Sequence, residues 1–259
     1  MQMDFSGDTR YAYAVGKIRV LETRLLDGED IERMVEAQNF DACLRILAQS
    51  ADYQEDLAKF KNPAEFEQIL FSQLLRTYSA TKALFVDTEI INALLLRYDF
   101  MNIKALVRAR YSNVSPRLIE LGTISLKLLS DGITKGDLRD LPLWLKELVK
   151  GAIGLFEKDK DPLMLDKFLD EALLRHIDTD VSRFPAIKNF FKMYTQGKSE
   201  DELLGYIKAA KYLTFGAEPV FGYIIAKENE IALLRSIFIG KLYNESQESI
   251  RERLGHTYA

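Results

Sequence analysis

The sequence predicts an all-α protein. Apolar residues return at three- and four-residue steps along nearly the whole chain, capping residues and prolines mark where one run gives way to the next, and no segment alternates long enough to build a sheet. Tyr11, Val15, Ile18, Leu21 and Leu25 make one face, so residues 8–26 read as a single helix that Asp27-Gly28 ends. Short helices are expected near 29–37 and 40–49, the second opening at Asn39. Asn62-Pro63-Ala64-Glu65 combines a cap, a proline suited to the first helical position and a carboxylate that can reach back. Phe66, Ile69, Leu70 and Leu74 continue that helix to about Tyr78. A long helix follows from Thr88 to Arg110, with Ile91, Leu94, Leu95, Tyr98, Met101 and Ala105 on one side; it would be roughly 34 Å long. Pro116 marks the break after it.

Residues 122–141 carry Gly122, Gly132, Gly136 and several aspartates, and are expected to be loops and short turns. Helices resume after Pro142 (to about 157), after Asp161-Pro162 (to about 177) and after Phe184-Pro185 (to about 196), where Gly197 stops the last. Ser199-Glu200-Asp201-Glu202 has a capping-box pattern and opens a helix to about 213. Glu218-Pro219 opens another to about 242, and 246–254 forms a final short one.

Composition bounds the function. With 47% hydrophobic residues in 259, the chain can bury roughly 70–75% of its extended surface and needs no staple. Charge is balanced, 35 Lys and Arg against 39 Asp and Glu, and each half sits at −2, so no basic domain points to nucleic acid. The single cysteine, Cys43, permits no intramolecular disulfide and fits a reducing compartment. The start, Met1-Gln2-Met3-Asp4-Phe5, has neither a basic region nor an apolar one, so no signal peptide is expected. Apolar stretches around 84–96 and 220–226 are too short or interrupted to span a bilayer. Two histidines and one cysteine, far apart, lack the spacing of a zinc site. No phosphate loop, dinucleotide loop or nucleophile elbow occurs, and no cofactor is expected. An all-carboxylate site remains open.

Two long helices echo each other at an offset of 131: Asp99 to Arg110 reads DFMNIKALVRAR and Glu230 to Lys241 reads EIALLRSIFIGK. Asp99 matches Glu230, Lys104 matches Arg235, and Arg110 matches Lys241. Ala109 meets Gly240, where a small residue would allow close helix packing. Amphipathic helices often look alike over twelve residues; duplicated helical bundles are the other account.

Segment 97–117 holds Arg97, Lys104, Arg108, Arg110 and Arg117 against Asp99 alone. Either this is a solvated face helped by cations at a helix C-terminus, or it is an electrostatic patch for an acidic protein partner. Asp161, Asp166, Asp170 and Glu171 stand near helical spacing, and such faces hold metal in some all-α enzymes. There is no paired ExxH and no dense aspartate motif, so a solvated acidic face is the simpler account. Asp178-Thr179-Asp180 reads as a turn and cap, His176 as a complement to a helix dipole and Cys43 as a small core residue. Tyr11, Tyr13, Trp144 and Phe190-Phe191 read as core residues or as contacts between subunits.

Three segments together carry a family resemblance. They are Tyr11-Ala12-Tyr13-Ala14-Val15-Gly16-Lys17-Ile18-Arg19 with Leu21-Glu22 and Arg24-Leu25-Leu26; Asp99-Phe100-Met101-Asn102-Ile103-Lys104; and Phe215-Gly216-Ala217-Glu218-Pro219-Val220-Phe221 running into Ala226–Ile231, Gly240-Lys241-Leu242 and Ile250–Leu254. In this order they resemble the C-type stalk protein of the V/A-type rotary ATPases (ATP synthases), the counterpart of the d protein in the eukaryotic enzyme. The resemblance implies a non-catalytic central-stalk subunit of helical bundles in a pseudo-three-fold funnel. Such a subunit sits on the cytoplasmic face of the membrane proteolipid ring and holds the rotor axle, which is the D–F pair. On this basis bundles are expected at 1–120, 121–198 and 199–259, with Lys104, Arg108, Arg235 and Lys241 near the axle or ring contacts. The family pattern includes a further D-x-x-N-I-like helix between the middle and final segments. Here Phe190–Tyr194 leads almost directly to Gly197, so one repeat is shortened. The rivals are a metal-dependent all-α enzyme using Asp166, Asp170 and Glu171, and a free-standing helical-repeat adaptor.

Overall fold

The computed structural model describes residues 7–59, 62, 65–112 and 114–258. Met1–Phe5, and Pro63 and Ala64 of the expected start signal, lie outside the described residues. All regular structure among the described residues is helical. The chain divides into two compact units, one from Met1–Val86 with Gly197–Ala259, the other Asp87–Gln196.

In the first unit, a 3-10 turn at Thr9–Tyr11 leads into α1 (Ala12–Glu22). The expected 8–26 helix stops four residues early because Asp27 does not end it: its side chain accepts from Asp30 N and caps α2 (Gly28–Glu36). Asn39 likewise caps α3 (Phe40–Leu47). A one-and-a-half-turn helix, α4 (Gln54–Lys59), precedes α5 (Phe66–Lys82). The unit resumes with α11 (Glu200–Lys208), opened by the Ser199/Glu202 capping box, then a 3-10 turn (Ala209–Tyr212), α12 (Glu218–Leu242) and α13 (Gln247–Arg253).

α12 is the axis of this unit. It packs against α1, α2, α3, α5, α11 and α13, so its apolar residues run round every side instead of forming a stripe. Phe40, Phe66 and Phe238 meet edge to face with centroids 5.2–6.3 Å apart. Gly240 is small for a reason: a Cβ there would lie 2.5 Å from Ile250 Cγ1 of α13.

In the second unit, α6 (Thr88–Ala109) packs against α7 (Leu126–Thr134), α8 (Leu143–Asp159) and α9 (Pro162–Asp180), and α9 also meets α10 (Pro185–Thr195). Leu106, Val107, Leu129, Ile133, Leu145, Leu165 and Leu169 are buried in its core. Two expectations are corrected. Helix α7 occupies part of the stretch expected to be loop, since Leu126, Leu129 and Ile133 give it an apolar face and Gly132 packs: a Cβ there would stand 2.8 Å from Leu141 Cδ1. Asp178-Thr179-Asp180 is the last turn of α9 and not a free turn. Asn102 anchors the stretch after α6 by a two-way bond, donating to Ile119 O and accepting from Ile119 N, each 2.9 Å.

Candidate functional site

The polar residues of the long helices α6 and α12 hold neighbouring elements in the same way. On α6, the buried Asp99 carboxylate accepts from Thr123 N (2.8 Å), Thr123 Oγ1 (2.6 Å) and Ile124 N (3.2 Å). On α12, the buried Glu230 accepts from Leu26 N at 2.6 Å. Ile124 and Leu26 each precede the cap residue of a nine-residue helix, α7 and α2. Eleven residues further along the long helix comes a base. Arg110 Nη1 donates to Ile133 O at 2.6 Å, and Lys241 Nζ donates to Val35 O and Ala37 O at 2.5 Å. Ile133 and Val35 are the penultimate residues of α7 and α2, whose last carbonyls lack intrahelical donors. Eleven residues rise about 16 Å and nine about 13 Å, so acid and base clamp both ends of a short helix running parallel to the long one.

Between acid and base stands a second cation at equivalent positions. Lys104 Nζ lies 2.8 Å from Asp170 and 3.7 Å from Asp166 on α9. Arg235 meets Glu67 on α5 at 2.9 and 3.2 Å. Arg108, one turn beyond Lys104, reaches Asp166 at 2.5 Å. Of the four predicted interface residues, Lys104, Arg108 and Arg235 are half-buried on their units' surfaces, while Lys241 is buried with its ammonium committed to carbonyls. Burial is the main influence on that ammonium and lowers its pKa.

The carboxylates of the rival metal site have other partners. Asp166 and Asp170 face a guanidinium and an ammonium, whose positive charge opposes a divalent ion at the same place. Glu171 is exposed. No group of metal-binding residues occurs among the described residues. Cys43 is a core residue whose burial pushes its thiol up to about 12. The His176 ring lies 4.2 Å from that of Trp144, and burial lowers its pKa. Asp178 pairs with Lys188 at 2.5 Å. Tyr11, Phe190 and Phe191 are core, whereas Tyr13 is 77% exposed.

One polar cluster is not evident from the helix pattern. Lys227, 1% exposed, donates to Asp52 (2.9 Å) and Glu230 (2.7 Å), with its ammonium 4.9 Å from the Tyr53 ring centroid. Tyr53 OH donates to Glu230 at 2.6 Å; burial first, then Glu230, raises its pKa. The signal available was Lys227 and Glu230 three apart, directly after the apolar run 220–226, in a helix where buried charges persist only when paired.

The family model described as ATP synthase (C/AC39) subunit matches residues 14–198 and 192–253. The C subunit of an A-type ATP synthase from Archaeoglobus fulgidus is 26% identical over 148 residues, 54% of this chain and 39% of that one. The C subunit of a V-type ATP synthase from Deinococcus radiodurans is 24% identical over 70% of this chain and 56% of its own. These matched stretches span about half or less of the relatives' length. The C subunit of an A-type ATP synthase from Methanocaldococcus jannaschii is 20% identical over 343 aligned positions, taking in 94% of this chain and 86% of that one.

Proposed function

The chain belongs to the ATP synthase (C/AC39) subunit family, and on that premise we propose that it is a non-catalytic part of the central stalk of a V/A-type rotary ATPase. In this reading it couples the D–F rotor axle to the membrane proteolipid ring on the cytoplasmic face. No helix among the described residues is long and apolar enough to cross a membrane. The observation that carries the proposal is the double clamp. A body that transmits torque must resist shear, and directional hydrogen bonds at helix ends add to the resistance of interlocked apolar packing. Asp99 with Arg110, and Glu230 with Lys241, fix the short helices α7 and α2 at both ends. A slide along the helix axis breaks hydrogen bonds to charged groups, each worth about 1.5–3 kcal/mol.

Lys104, Arg108 and Arg235 are the proposed contact residues, with Lys241 acting from behind to hold the end of α2. The two family matches overlap at 192–198, where the sequence passes from Tyr194 almost directly to Gly197. This supports a pseudo-three-fold array of bundles in which one member is shortened. The test is co-purification: a tagged chain should bring down the D–F pair and the detergent-solubilised ring from cells expressing all of them. Recovery of the chain without either would end the proposal.

A further inference from the structure

Four large apolar side chains stand exposed on one part of the first unit: Tyr13 (77%) and Val20 on α1, Tyr212 (84%) and Phe215 beside it. Tyr13, Gly16 and Val20 follow one another at three- and four-residue steps, the spacing by which one helix packs on another. Gly16 has open space above it, leaving a notch in the stripe. Tyr212 and Phe215 are firmly set beside that stripe. Arg19, a helical neighbour of Gly16, donates to Leu213 O at 2.6 Å and Ala210 O at 3.3 Å, and Gly216 N donates to Asp8 O at 3.1 Å. The aromatic pair thus borders the stripe on a fixed backbone.

The charge of this surface runs against the rest of the chain. Residues 8–24 and 205–216 hold six Lys and Arg in a chain of net charge −4; Arg10, Arg19 and Arg24 pair with Asp8, Glu22 and Asp52, and Lys17, Lys208 and Lys211 supply the excess. Glu22 is turned inward to Arg19 and Tyr258. Lys17 and Lys208 make no ion pair among the described residues. Exposed tyrosines with a cationic rim mark protein interfaces, and the helical step of the stripe matches a helix laid along it. We propose that this face docks an acidic amphipathic helix of another protein of the complex. The proposal deepens the stalk reading and rests on it.

The test uses the intact complex. Photo-crosslinking benzoylphenylalanine is placed at Tyr13 and Tyr212, with Met164 of the other unit as the reference site. Both test sites should cross-link to one acidic helical segment of a partner protein. In parallel, Lys17→Glu with Lys208→Glu should raise the dissociation constant for the complex purified without this chain about tenfold, with a weaker salt dependence and an unchanged melting temperature. A complex that forms with both sites silent, or with labels on lipid alone, overturns the docking face and leaves the stalk reading standing. A chain that never enters the complex overturns both.

Discussion

Asp99 and Glu230, 131 residues apart, do the same work: each carboxylate accepts the backbone N–H of the residue before a helix cap, Ile124 in one unit and Leu26 in the other. The likeness extends to Arg110 and Lys241, which take the penultimate carbonyls of the same short helices. Lys104 and Arg235, at equivalent positions between them, each pair with a carboxylate of a neighbouring helix. The two long helices thus share polar roles in register as well as an apolar pattern, which is what the duplicated-bundle account predicts.

Glu230→Ala should cost about 3–5 kcal/mol, because it removes one of two partners from the buried Lys227 ammonium and strands Leu26 N–H and Tyr53 OH. Denaturant unfolding of the variant measures it. A loss below about 1 kcal/mol would mean that the network is incidental.

Gly122 and Gly154 should respond oppositely to alanine. At Gly122, φ is +146° and a Cβ would lie 2.2 Å from Asp99 Oδ1, so Gly122→Ala should destabilise by about 2–4 kcal/mol through strain and loss of the Asp99 bonds. Gly154 is an exposed helical residue with nothing within 4 Å of a Cβ, so Gly154→Ala should stabilise by about 0.5–1 kcal/mol. Thermal melts of the two variants give the sign directly.

Much of the fold was legible. Ser199 with Glu202 opened α11 through its capping box, α12 began at Glu218 with Pro219 in its first turn, and α6 ran from Thr88 as its periodicity indicated. Helix α7 was hidden because glycine reads as a breaker in sequence, whereas Gly132 serves close packing inside a helix. The acids and bases of the echo were visible; their partners were not. Arg110 and Lys241 bind main-chain carbonyls, which no side-chain pattern encodes. The exposure of Tyr13 was legible: two residues from Tyr11, it falls off the face made by Tyr11, Val15 and Ile18.

Lys104→Glu with Arg108→Glu would set like charges against Asp170 and Asp166. The pairs are half-exposed, so the expected loss is only about 1–2 kcal/mol. Adding Asp166→Lys and Asp170→Lys should restore most of it. If D–F or ring binding stays lost in the charge-swapped chain while the melting temperature recovers, the cations are read by the partner itself. Recovery of binding along with stability would assign them to the α6–α9 contact alone.

His176 supplies a pH prediction. Burial against Trp144 holds its folded pKa below the usual 6.5, with Arg175 acting the same way and Asp180 opposing. A depressed pKa favours the neutral folded form. The contribution is therefore present above about pH 6.5 and is lost as pH falls through the folded value. Trp144 is the sole tryptophan, and imidazolium quenches indole on contact. Fluorescence should drop with a midpoint below 6.5, and His176→Phe should abolish the step.

The most direct test of the mechanical role is ATP-driven ion transport in vesicles carrying the complex with and without this chain. Torque transmission through the chain predicts that, in its absence, ATP hydrolysis by the head continues while transport stops, and that adding the chain back restores transport. Undiminished transport without it would contradict the account.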